Sequence, residues 1–372
     1  MDVVPVLSRD DFSRFIRLPH QIYRDDKQWV APLTSDERAR LTPGKNPYFE
    51  HAEAAYFLAR DRGRDVGRIA ASVDRNYDAY HGERQATFGF LETESPEATA
   101  ALLGAAEGWA RERGASVLRG PMNFTTNDDC GLLIRGFEEP ATILMPYNPP
   151  SYPAWVESAG LRKSKDLFAF KVPIPASPET EIAQVARIAQ KARDRYRVRV
   201  RSMNMKHFGE ELQRVKEIYN SAWEKNWGFV PMTEHEIDHM AAQLKPAIVP
   251  ELALFAEIDG EPVGFALAIP DVNVALKPLR GSLYPFGIVR LLWSLRKIRT
   301  LRLMALGVKA GFRRRGIDAS LVHQAAVAAR AKGYIWCEVG WTLEDNDLIN
   351  RLIEAVNGDQ YKTYRIYERP LA

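Results

Sequence analysis

The sequence predicts an α/β protein made of two related units, each a sheet with helices packed on both faces. Two observations predict it: strands alternate with helices along most of the chain, and one strand–turn–strand pattern is written twice. The first copy covers residues 55–60 and 66–71; the second covers 253–258 and 263–268, joined by Asp259-Gly260. Asp-Gly between apolar runs is hairpin chemistry, because both turn positions accept positive φ.

The two copies stay in step over long distances. Val66-Gly67 and Val263-Gly264 recur at the same offset as Glu157 and Glu354, which close two short helical stretches. The helices between, ending Arg113-Gly114 and Lys332-Gly333, are farther apart. The second copy therefore carries extra residues before its central helix, at about 274–298, and the first after its following strand, at about 120–146. Expected in the second unit are a strand at 196–201, helices at 207–227 and 234–244, the hairpin, and a strand at 302–308. A helix at 316–332, a strand at 334–339, a helix at 345–356 and a strand at 360–367 complete it. A stretch rich in Pro, Ser and Glu (173–179) and a helical run (182–193) divide the chain into 1–175, 176–194 and 195–372.

Bulk properties narrow the function. The 372 residues suit two domains. Hydrophobic residues at 46% and charged residues at 27% describe an ordinary globular protein, and a net charge of +3 gives no case for nucleic acid. Two cysteines, Cys130 and Cys337, exclude a disulfide framework and point to a reducing cytoplasm. No stretch has eighteen uninterrupted apolar residues and no basic n-region opens the chain, so neither a span nor a signal peptide is expected. Attachment to a membrane surface stays open.

The most informative segment is 301–329. An apolar run including Leu306, Gly307 and Val308 ends in Arg313-Arg314-Arg315-Gly316-Ile317-Asp318-Ala319, where a small-residue helix starts. Strand, glycine-bearing basic loop and helix N-terminus together suit a phosphate or pyrophosphate. The alternative is a junction with a solvated basic turn.

This order resembles the GNAT superfamily of acyl-CoA-dependent N-acyltransferases, whose Arg/Gln-x-x-Gly-x-Gly/Ala loop holds the CoA pyrophosphate. The resemblance implies two tandem GNAT-like units, each a mixed, mainly antiparallel twisted sheet flanked by helices. It also implies acyl-CoA as co-substrate, bound through Leu306, Gly307, Val308, Arg313–Ala319 and Asn346, with no metal. Asp318 departs from the pattern, standing where Gly or Ala is usual; it fits the first turn of a helix by its charge or serves substrate handling. Ile353 departs too, standing where many relatives carry a tyrosine acid. The first unit has acidic Leu91-Glu92-Thr93-Glu94-Ser95-Pro96 in place of the loop, so it is expected to shape the acceptor side of one site made by both units.

At finer grain the chain resembles a bacterial tandem-GNAT family similar to the bacterial ceramide synthases. The resemblance rests on Gly120-Pro121-Met122-Asn123-Phe124-Thr125-Thr126-Asn127-Asp128-Asp129-Cys130-Gly131, Met145-Pro146-Tyr147-Asn148-Pro149-Pro150, Asn226-Trp227-Gly228-Phe229-Val230-Pro231, Arg315-Gly316-Ile317-Asp318 and residues 361–367. It implies transfer of a long-chain acyl group to a sphingoid base. Asn123, Thr125, Asn127, Tyr147, Asn148, Trp227 and Trp293 are the expected substrate residues. Glu338, Asp128 and Asp129 are the candidate bases, since an amine must lose a proton to attack a thioester. A cytoplasmic enzyme with peripheral contact at the inner membrane is the expectation. Alternatives are an acyl-CoA-binding sensor without catalysis, or an N-acetyltransferase acting on a small-molecule or protein amine.

Other features have competing readings. Residues 283–298 place Ile288, Leu291, Leu292 and Leu295 on one helical face with Arg290, Arg296 and Lys297 elsewhere. That pattern suits a membrane surface or an acyl chain, or a helix packed on its own domain. His235-Glu236-Ile237-Asp238-His239 matches a zinc-peptidase pattern, but Thr233 and Glu236 form a capping box and no third ligand follows at the usual spacing. Cys130 lacks a local base for a nucleophilic role.

Overall fold

The computed structural model describes residues 1–224, 226–283 and 287–371. Tyr284, Pro285 and Phe286, part of the amphipathic segment read from the sequence, lie outside the described residues. The first strands are β1 (Asp2–Pro5), β2 (Ala52–Asp61), β3 (Arg64–Asp74), β4 (Gln85–Thr93), β5 (Val117–Gly120), β6 (Leu132–Arg135) and β7 (Arg162–Pro173). They are followed by β8 (Arg199–Ser202), β9 (Ala253–Ile258), β10 (Glu261–Pro270), β11 (Thr300–Val308), β12 (Trp336–Leu343) and β13 (Asp359–Pro370). The chain forms two compact units: Met1–Leu167 with Ala275–Leu292 and Lys362–Ala372, and Phe168–Val274 with Trp293–Tyr361.

In the first unit the strand order is β1-β2-β3-β4-β5-β13, with β6 also on β13. In the second it is β8-β9-β10-β11-β12-β7. Each sheet is mixed: β4–β5 and β11–β12 are parallel, and the hairpins β2–β3 and β9–β10 are antiparallel. Both hairpin turns are left-handed, at Arg62-Gly63 and Asp259-Gly260. A crossover helix joins each parallel pair, Pro96–Glu112 in the first unit and Ile317–Ala331 in the second.

The recurring Val-Gly has a packing cause. A Cβ on Gly67 would lie 2.8 Å from Leu102 of the first crossover helix, and one on Gly264 would lie 2.9 Å from Ile317 of the second. Only glycine lets each helix sit this close to its sheet, where Leu102 and Ile317 enter the apolar cores. The repeated dipeptide is thus the imprint of a repeated helix-on-sheet contact.

Element boundaries differ from the sequence reading at one informative place. Tyr196 ends the helix Ala183–Tyr196 rather than starting a strand, because Arg197 takes left-handed backbone (φ +57°) and caps it. The strand begins at Arg199.

Candidate functional site

The two crossover helices start differently. Pro96–Glu112 is capped by Ser95, whose hydroxyl accepts from the Ala98 amide at 3.2 Å. Ile317–Ala331 starts at Gly316 with no side-chain cap, and the amides of Gly316, Ile317 and Asp318 find no acceptor among the described residues. The second helix therefore offers an open N-terminus with its positive end exposed. Arg314 and Gly316 both hold positive φ (+64° and +73°), the backbone pattern that builds concave N–H arrays. A Cβ on Gly316 would meet Ile188 at 2.8 Å, so packing also demands this glycine. Asp318 sits in the first helical turn and accepts from the Ala319 amide at 2.9 Å.

The three loop arginines have separate tasks. Arg313 donates to the Ala222 carbonyl at 2.8 Å, tying the loop to the helix Phe208–Trp223. Arg315 donates to the Gly311 carbonyl at 3.3 Å and lies over the Phe312 ring. Arg314 is exposed and has no partner among the described residues. It is the charge the fold leaves available.

β11 leads into this loop with one edge bare. It pairs with β12 only from Thr300↔Trp336 to Leu303↔Val339, whereas its pairing with β10 runs on to Val308. Met304 is the extra residue of a bulge against β10. Among the described residues no strand lies beside the β12-facing edge at Leu306, Gly307 and Val308. Gly307 is further constrained, since a Cβ there would collide with the Trp223 ring.

Where β11 and β12 still pair, Arg302 and Glu338 are register partners. Both are buried, their Nε and Oε1 atoms 3.9 Å apart. Tyr361 donates its hydroxyl to Glu338 Oε2, and Arg302 Nη2 donates to the Gly340 carbonyl at 3.3 Å. Glu338 is thus not on an exposed strand face but in a buried ion pair closed by a tyrosine. Beside it, burial pushes the Cys337 thiol up to about 12. Asn346 caps the helix Asp347–Glu354 by accepting from the Ile349 amide at 3.4 Å. Ile353 is buried against Phe170 and Val172, and Trp227 is half-buried.

In the first unit the corresponding strand edge is filled by the chain itself. β5 pairs with β4 only at Gln85–Thr87, and the loop after β5 then takes over. The Met122 amide donates to the Phe88 carbonyl at 2.7 Å, and the Phe90 amide donates to Asn123 Oδ1 at 2.7 Å. Gly89 permits the contact, as a Cβ there would collide with the Met122 carbonyl. Asn123 thus belongs to a plug. Arg40 secures the same loop, donating to Asp129 at 2.9 Å, Asp128 at 3.4 Å and the Asn123 carbonyl at 3.2 Å. Asp128 also accepts from Thr125, whose hydroxyl accepts from the Asn127 amide at 3.1 Å. Burial pushes the Asp128 carboxyl up to about 6, against the pull of Arg40. Asn148 is buried and clamps Leu133, accepting from its amide at 2.7 Å and donating to its carbonyl at 3.1 Å.

A second polar group in this unit gathers residues far apart in the sequence. On β4, Glu92 Oε2 accepts from the hydroxyls of Tyr23 at 2.6 Å and Tyr152 at 3.2 Å. Tyr147 lies alongside: its carbonyl accepts from Tyr23 and its hydroxyl donates to Asp26 at 2.9 Å. Burial pushes the Glu92 carboxyl up to about 7, with Arg68 opposing. Because the folded value lies above the ordinary 4.5, this group's stabilising contribution is complete below pH 4.5 and lost as pH rises through about 7. The Tm of Glu92→Gln relative to wild type should therefore rise across that window in thermal melts; a flat difference would contradict the burial of this carboxyl.

The helix Gly287–Leu295 faces the opposite way from a core-packed helix. Ile288 (58%), Leu292 (59%) and Trp293 (60%) are exposed while Ser294 is buried. The Lys297 ammonium lies 3.1 Å over the Trp293 ring. In the zinc-like motif, Thr233 and Glu236 form their capping box, and Asp238 pairs with Lys216 at 2.8 Å. Cys130 is buried. No helix among the described residues is long and apolar enough to cross a membrane.

A sequence model of the Acetyltransferase (GNAT) family matches residues 212–355. The chain is 38% identical over 379 aligned positions to a protein named bacterial ceramide synthase from Caulobacter vibrioides, covering 100% of this chain and 98% of that one. The chain belongs to the GNAT family. It is 36% identical to Protein YghO of Escherichia coli, covering 98% of this chain and 94% of that one. A tandem GNAT protein from the clavulanic acid biosynthesis pathway shares the fold with a TM-score of 0.58 at 13% identity, covering 100% of this chain and 98% of that one. The molecule is thus a tandem GNAT acyltransferase with acyl-CoA as co-substrate and an amine as acceptor.

Proposed function

We propose that this enzyme transfers a long-chain fatty acyl group from acyl-CoA to the amine of a sphingoid base. The observation that carries the reading is the full-length identity to a relative named ceramide synthase. The open N-terminus at Gly316 fits a pyrophosphate, with the amides of Gly316, Ile317 and Asp318 and the Arg314 guanidinium as its partners. The bare edge of β11 at Leu306–Val308 suits an extended pantetheine arm, and its outward N–H groups suit the thioester oxygen. On the family resemblance, Asn346 is assigned to CoA and Trp227 to the substrate.

In the reaction the amine nitrogen bonds to the thioester carbon, the C–S bond breaks, and CoA leaves as the thiol after taking up a proton. The amine must first lose a proton. Asp128, half-buried with its carboxyl near 6, suits that task better than Glu338, which is fully buried. Asp129, Asn123, Thr125 and Asn127 order the loop that carries Asp128, and Asn148 holds the strand that follows it. The outward apolar side chains of Gly287–Leu295, with Arg290, Arg296 and Lys297 nearby, support contact with the anionic inner face of a cytoplasmic membrane.

Purified protein incubated with sphinganine and either palmitoyl-CoA or acetyl-CoA tests the reading by mass spectrometry. N-palmitoyl product is expected to dominate. Product from acetyl-CoA alone, or none from any long-chain base, would overturn it.

A further inference from the structure

Arg68 on β3 and Glu92 on β4 are direct register partners in the antiparallel pair, so their side chains share one face. Opposite charges in that relation ordinarily close into an ion pair. Here they do not: Arg68 turns to Glu37 at 3.3 Å and to the Phe15 carbonyl at 3.0 Å. Glu92 uses Oε2 for two tyrosine hydroxyls, and its Oε1 has no partner among the described residues. On the facing residue, Arg68 Nε is buried without an acceptor. An open carboxylate oxygen on a half-buried residue and an unmet buried donor thus belong to register partners on one sheet face, and a buried donor is rarely left incomplete.

Resting on the acceptor reading above, we propose that the Arg68–Glu92 pair is the head-group site for the amine. The ammonium is taken by Glu92 Oε1, and a hydroxyl on the neighbouring carbon accepts from the Arg68 Nε–H. The chemical class this selects is a vicinal amino alcohol rather than a plain amine. Tyr23 and Tyr152 act as positioning residues that fix the carboxylate through its other oxygen. The stacked Tyr23 and Trp29 rings, 4.8 Å apart, give the site an aromatic wall suited to an alkyl-bearing cation.

Soluble short-chain probes test the site without acyl transfer. Calorimetric titration of the full-length protein with 2-amino-1-octanol, octylamine and 1-octanol should rank them in that order, with the amino alcohol about tenfold tighter than the amine. Glu92→Gln should weaken the amino alcohol by about tenfold or more while CoA binding is retained, the latter reporting an intact fold. Glu92→Asp, which keeps the charge but withdraws the oxygen, should fall between. Equal affinity for amine and amino alcohol, no binding of either, or undiminished binding by Glu92→Gln would each overturn the proposal. Failure of acyl transfer with these affinities intact would count against the lipid acyltransferase reading and leave the head-group site standing.

Discussion

Glu338→Ala is expected to lower the free energy of unfolding by about 3–5 kcal/mol, because it strands Arg302 as a buried charge. Arg302 is 5% exposed and Glu338 is fully buried, so bulk water screens the pair little. Removing both charges, as Arg302→Met with Glu338→Leu, should recover most of the loss, since well-packed apolar pairs often match buried ion pairs. Urea unfolding of the two single variants and the double variant measures this directly. A Glu338→Ala protein as stable as wild type would mean the carboxylate is held for chemistry rather than architecture.

The second large effect concerns the loop. Arg314→Glu should weaken CoA binding by about 30-fold or more, by turning an attraction to the pyrophosphate into a repulsion. The effect should shrink as salt is raised, since the side chain is exposed. Stability should change little, because Arg314 holds no partner among the described residues. Gly316→Asp would be a poorer probe: its Cβ would press on Ile188, so lost binding could reflect a moved helix. Fluorescence competition with a CoA analogue at two salt concentrations reads the outcome. Unchanged affinity would place the pyrophosphate elsewhere.

Much of the fold was legible because turn chemistry and the Val-Gly repeat are local signals. Asp259-Gly260 announces its hairpin, and Gly67 and Gly264 mark where helices touch sheets. The strand β7 was harder to see, since Arg162, Lys163, Lys165 and Asp166 obscure its alternation. The site was legible only where residues adjoin in sequence, as in Arg313–Ala319. Which of the three arginines is free depends on the Ala222 carbonyl and the Phe312 ring, and the sequence does not reveal that geometry. The Arg302–Glu338 and Arg68–Glu92 pairs depend on strand register, and the second adjoins a bulge at Phe90-Leu91. Asn123 stands in a polar loop after a strand, where substrate contacts are common, and the sequence does not reveal that its Oδ1 accepts from the Phe90 amide.

We propose that the second unit alone binds the co-substrate. Equilibrium titration with CoA, counting molecules bound per chain, tests it most directly. One site per chain is predicted, lost in Arg314→Glu under the same conditions. Two sites per chain, or one that survives Arg314→Glu undiminished, would contradict it.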